Sequence, residues 1–186
     1  DEREEVEKRI RDLAEEVRRI VKRVEDETRR LVEEVKKSSD DSRRTIEKLA
    51  RELKEITRRV KDKRTLIEIL RRVVEEVEEL VRDDVDKLRR VVEESERISR
   101  RLEEKLEEVV KRVEEIVRRL IKRRKDDKEA KDRLEDLLRR LREEVKRVKE
   151  KLKKLNDDLR REVEKSKEDN ERLLKKLRDE VRKSAT

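Results

Sequence analysis

Residues 56–67 read Ile-Thr-Arg-Arg-Val-Lys-Asp-Lys-Arg-Thr-Leu-Ile. Before this stretch, apolar residues recur every three or four positions, through Leu49, Leu53, Ile56 and Val60. The next in-phase slots hold Lys63 and Arg64, and the pattern restarts at Ile67. Steps of three and four are the signature of a helix that buries one face. A stripe that stops on two cations and then resumes marks the end of one helix and the start of another. Thr65-Leu66-Ile67-Glu68 reads there as a capping box. The Thr hydroxyl would take an orphan N–H and the Glu would reach back to the cap.

Working outward, the first stripe runs from Val6 and Ile10 through Val17, Val24, Thr28, Val35, Ser42 and Ile46 to Val60. The second runs from Ile67 through Leu70, Val77, Val85, Leu88, Ser95, Ser99, Leu106 and Val117 to Ile121. Arg124 and Lys128 then fill the expected slots, which makes a second gap. The third runs from Leu134 through Leu141, Leu152, Leu159, Ser166 and Asn170 to Val181. Helix 1 is expected over about 2–62, helix 2 over about 66–124 and helix 3 over about 127–184, as a single domain of residues 1–186. Asp126-Asp127-Lys128-Glu129 offers an Asp cap for the third helix. The chain opens Asp1-Glu2-Arg3-Glu4-Glu5, acidic where a helix dipole is positive. Helix 2 closes Lys122-Arg123-Arg124-Lys125, basic where it is negative.

A four-helix bundle is the alternative, because Ser38-Ser39-Asp40-Asp41-Ser42 resembles a loop and Arg82-Asp83-Asp84 a turn. Phase argues against it. Val85 follows Val81 on the stripe, and Ile46 follows Ser42, so nothing is skipped at either place. The expected fold is therefore all-α, a long up-down-up antiparallel three-helix bundle.

The first two stripes each take fifteen steps over 54 residues, a period of 3.6. The unit recurs every 18 residues, as in Val6, Val24, Ser42 and Val60. Heptads would impose a left-handed supercoil and eleven-residue repeats a right-handed one. A period equal to that of the free helix predicts nearly straight helices, each roughly 90 Å long.

Composition narrows function more than it suggests one. The chain has 186 residues and no Gly, Pro, Cys, Met, His, Gln, Phe, Tyr or Trp, and 62% of it is charged. The net charge of +8 comes from 62 basic and 54 acidic residues that alternate finely, as in Glu15-Glu16-Val17-Arg18-Arg19. Glu78/Arg82, Glu114/Arg118 and Glu143/Arg147 have the spacing of helix-surface ion pairs. Such a surface is a solvated face, and no specific nucleic-acid partner is expected. No apolar run exceeds two residues, which excludes a transmembrane helix or signal-peptide core. A start at Asp1 rather than Met suggests that a tag or leader has been removed.

Zinc sites call for Cys or His, and the chain has neither. Its Glu residues are expected on outward faces. Serine without an adjacent His, Cys or paired base is not activated as a nucleophile. No catalytic, cofactor-binding or metal-ligating residue is therefore assigned, no cofactor is expected, and the chain does not read as an enzyme. The polar residues on the stripes ask for another explanation. A turn centred near 63.5 would place Thr28 opposite Ser99, with Ser95 and Asn156 close by, as one polar layer. Ser39, Ser42 and Ser166 would form a second. A buried hydrogen-bonded layer penalises wrong pairings and so fixes register.

The reduced alphabet, the Glu/Lys/Arg surface around a Leu/Val/Ile stripe and the 18-residue repeat together resemble a de novo, parametrically designed helical bundle, most like the monomeric, untwisted three-helix kind. The resemblance covers the whole chain. It implies a hyperstable structural scaffold with no natural biochemical function, no partner and no natural localisation, soluble when expressed in a bacterial cytoplasm. A designed self-assembling subunit or helical interaction module is the alternative. The absence of Gly from the turns departs from the usual pattern of such designs.

Overall fold

The computed structural model describes residues 2–124 and 126–185. Asp1 and Lys125, read above as part of an acidic helix start and a basic helix end, lie outside the described residues. The chain forms three helices, α1 (Glu2–Arg59), α2 (Lys63–Arg123) and α3 (Lys128–Ala185). Ser38–Ser42 and Arg82–Asp84 are helical throughout, so the four-helix alternative falls.

The helix ends show where local chemistry overrides the stripe. α1 stops at Arg59, and the Val60 N–H closes its last turn on the Ile56 carbonyl at 2.9 Å. α2 begins at Lys63, three residues before the expected start, because Asp62 is its cap. Asp62 Oδ1 accepts from the Arg64 N–H at 3.3 Å, and its carbonyl accepts from the Leu66 N–H at 3.0 Å. Thr65, expected to be the cap, sits inside the first turn and donates its hydroxyl to Asp62 Oδ2 at 2.8 Å. A carboxylate at this end satisfies orphan donors and also meets the positive end of the dipole, so it outcompetes a hydroxyl three residues later. At α3 the Ala130 N–H donates to Asp127 Oδ1 at 3.1 Å, so Asp127 rather than Asp126 is the cap. Basic residues close every helix: Arg58 and Arg59, Lys122 and Arg123, Arg182 and Lys183.

The chain divides into two compact units, each with a segment of all three helices. The first comprises Asp1–Arg29 and Glu94–Asp157. Its core joins Val17, Val21 and Val24 of α1 to Leu102 and Leu106 of α2 and to Val145, Val148 and Leu152 of α3. A second cluster there gathers Ile10, Val113, Val117, Leu120, Leu134 and Leu141. Arg18 meets Glu144 and Lys151 meets Glu25, so α1 and α3 rise together. Lys149 meets Glu107 and Arg142 meets Glu114, so α2 runs against α3.

The second unit comprises Arg30–Glu93 and Asp158–Thr186. Ile46 and Leu53 pack there with Leu66, Leu70, Val77, Val81, Leu174 and Leu177. Val35, Leu88 and Leu159 form a smaller cluster. Each helix thus buries one stripe, as its period requires. Within the described residues no large hydrophobic side chain is exposed.

Candidate functional site: polar layers in the helical core

Each unit holds one set of polar side chains where the repeat would place apolar ones. In the first unit, Ser95 and Ser99 lie one turn apart on α2 and are 1% and 5% exposed. Asn156 of α3 bridges them. Ser95 Oγ donates to Asn156 Oδ1 at 2.6 Å, and Asn156 Nδ2 donates to Ser99 Oγ at 2.9 Å. One amide offers an acceptor and a donor to two hydroxyls, so both of its polar groups are satisfied within the layer. Thr28 does not join this layer. It is buried, but its Oγ1 donates to the Val24 carbonyl one turn back at 2.8 Å. A threonine in a helix can satisfy its hydroxyl this way, so it needs no partner from another helix.

In the second unit the centre is Asp84, a residue the sequence reading left off the stripe. It is 7% exposed. Its Oδ1 accepts from Ser38 Oγ of α1 at 2.9 Å, and its Oδ2 accepts from Asn170 Nδ2 of α3 at 3.0 Å. One carboxylate thus ties three helices. Hydrogen bonds to a charged group contribute about 1.5–3 kcal/mol each, which offsets part of the cost of burying it. Ser42 and Ser166 are buried nearby in sequence register, whereas Ser39 is half-buried. Ser166 Oγ is buried without a hydrogen-bond partner.

The expected pairing needs correction in register and in membership. The turn centred near 63.5 is replaced by a connection at 60–62, because Asp62 starts α2 early. Ser38 rather than Ser39 therefore meets α2, and it meets Asp84 rather than Leu88 or Val85. A signal for Asp84 was present. Leu66, Asp84, Leu102 and Leu120 are spaced by 18, and the three leucines are all buried. Asn170 likewise shares its slot with Leu134 and Leu152.

Glu7 also departs from the outward placement expected of glutamates. It is 8% exposed, and Arg133 Nε approaches its Oε1 at 3.4 Å. Elsewhere the surface carries ion pairs of two kinds. Glu78 meets Arg82 within α2 at 3.9 Å and Arg178 of α3 at 2.7 Å. Exposed pairs of this sort contribute about 0–1 kcal/mol each and serve pairing more than stability.

The layers hold helices together, and they offer little chemistry. Ser38 faces a carboxylate with no imidazole or thiol in the chain to activate its hydroxyl. Among the described residues, no group of three or more His, Cys, Asp or Glu is placed to hold a metal ion. Nor is any helix of the described residues long and apolar enough to cross a membrane.

No protein-family model matches the chain. No curated protein matches it either. Among solved structures it is similar to a computationally designed three-helix bundle, with a TM-score of 0.71 and 19% sequence identity. That similarity covers 98% of this chain and 93% of the other. At this identity the likeness establishes the fold, a three-helix bundle, which is the fold expected from the stripes.

Proposed function

We propose that the chain is a designed structural scaffold: a hyperstable, monomeric bundle of one domain, without catalytic activity, cofactor or natural biochemical function. One observation carries this reading. The buried positions follow an 18-residue grid, and most of the polar residues on that grid are hydrogen-bonded across helices or along their own helix. Such agreement between pattern, capping and polar satisfaction is what specifies a single structure. The eleven-letter alphabet and the likeness to a computationally designed bundle support the same conclusion. The single-domain reading rests on helices that continue without a break through residues 29–30, 93–94 and 157–158.

The monomer reading rests on the burial of the large apolar side chains, which leaves no greasy surface for self-association among the described residues. Thermal unfolding by circular dichroism, with light scattering at several concentrations, tests all of this. One cooperative transition, far above the roughly 45–65 °C of ordinary domains, and a monomer mass are expected. Melting below about 60 °C would contradict the hyperstable scaffold. A mass that grows with concentration would favour a self-assembling subunit instead.

A further inference from the structure

The 18-residue grid shows where α1 gives up core volume in the second unit. Position 38 shares its slot with Ile20 and Ile56, and position 42 shares its slot with Val6, Val24 and Val60. The chain has serine at both places. Branched apolar side chains thus give way to two hydroxymethyl groups, one turn apart on one helix. A groove of about 460 Å³ lies there between α1 and α2, lined by Ser38 and Ser42 and walled by Val35, Leu80, Leu88 and Val91.

The polar side of this groove presents acceptors. The Ser38 hydroxyl donates to Asp84 Oδ1 at 2.9 Å. A hydroxyl has a single proton and an ionised carboxylate only accepts, so Ser38 keeps its lone pairs for whatever enters the groove. Ser42 is 8% exposed, lines the groove, and forms no hydrogen bond through its side chain among the described residues. Asp84 lies behind Ser38, and its two partners, Ser38 and Asn170, are both neutral. No cation pairs with it among the described residues. The charged side chains lining the groove cancel, Glu34 and Asp41 against Lys37 and Lys87. The buried carboxylate therefore leaves this level of the bundle with a negative charge in excess.

We propose that this groove binds a short primary alkylammonium ion. Such an ion has three N–H donors and no acceptor, which suits two hydroxyl oxygens that receive no donor from the protein. Seated on Ser38 Oγ, its nitrogen lies within about 6 Å of the Asp84 carboxylate, the span of two hydrogen bonds end to end. Over that distance, through an interior of low dielectric, the carboxylate attracts it more strongly than it would in water. The alkyl chain packs against Val35, Leu80, Leu88 and Val91, in the volume that branched side chains fill at the equivalent positions of the other repeats. A neutral alcohol matches the shape without the charge, and a sodium ion matches the charge without the shape.

The test is a titration of the full chain with n-butylammonium chloride, at an ionic strength held constant with sodium chloride and followed by backbone amide shifts. A parallel titration uses 1-butanol. Saturable shifts centred on residues 34–45 and 80–91, with half-saturation in the millimolar range, are expected of so small a ligand. Butanol should bind about tenfold more weakly. Asp84→Asn keeps a hydrogen-bonding side chain and removes the charge, so it should weaken butylammonium about tenfold and leave butanol unchanged. Ser42→Val restores the side chain of the other repeats, fills the groove and should abolish saturation; it decides the matter even if Asp84→Asn loosens the core. Equal saturation by butanol and butylammonium would overturn the proposal. So would saturation that is unchanged in Ser42→Val, or shifts that rise linearly and equally at exposed acidic residues elsewhere.

Discussion

Asn170 on α3 donates through Nδ2 to Oδ2 of Asp84 on α2 at 3.0 Å, and both side chains are buried. The pair is asymmetric in what its loss would do. Asn170→Leu leaves a buried carboxylate with only Ser38 as a donor, and should lower stability by about 1–3 kcal/mol. Replacing Asp84 and Asn170 together by Leu should recover most of that loss, or exceed the parent, because no buried charge remains. Guanidinium unfolding of the two single variants and the double variant measures the coupling.

Thr28 and Asn156 provide a second contrast. The Thr28 hydroxyl is satisfied within its own helix, so Thr28→Val should change stability by less than about 1 kcal/mol. Asn156→Ala strands Ser95 and Ser99 in the core and should cost about 1–3 kcal/mol. A large loss in Thr28→Val, measured by the same denaturant midpoint, would mean that Thr28 belongs to the layer after all.

Ser166 should be dispensable. Its hydroxyl is buried with no partner, so Ser166→Ala removes a desolvated group and should raise stability by up to about 1 kcal/mol. A loss on that substitution would show that the hydroxyl is satisfied in solution.

The helix caps should be worth more than their exposure suggests. Asp62→Ala and Asp127→Ala should each cost about 0.5–2 kcal/mol, whereas Thr65→Ala should cost less because Thr65 only supports Asp62. Equal losses at Thr65 and Asp62 would restore the capping box centred on Thr65.

Leu159 sets the scale for the apolar core. It is fully buried between Val35 and Leu88, and Leu159→Ala should cost about 2–5 kcal/mol through lost transfer energy and the cavity left behind. A loss below that of Asn156→Ala would mean that the core relaxes around the gap.

Much of the fold was legible because the 3.6 period is global: a helix that breaks phase at Lys63 and Arg64 exposes charge or buries it, and only a turn resolves that. The number of helices followed from two such breaks. Helix limits were less legible, since Asp62, Thr65, Asp126 and Asp127 are all good caps, and the choice depends on which carboxylate reaches which N–H. Layer membership was the least legible. A shift of a few residues at one turn changes every partner downstream, and this moved the contact of α1 from Ser39 to Ser38. Asp84 was missed because charge alone argued for a surface position. Its burial depends on donors from Ser38 and Asn170, which lie 46 and 86 residues away in sequence.

The first connection, residues 60–62, reverses the chain with no described residue in the left-handed region of backbone space. It therefore makes no demand for an achiral residue at the corner. A glycine placed at Lys61 would relieve no strain, and would only enlarge the set of shapes open to the denatured polypeptide. The corner is held by its length and by the Asp62 carboxylate, so the side chain at position 61 is free for a dye, an affinity handle or a surface tether.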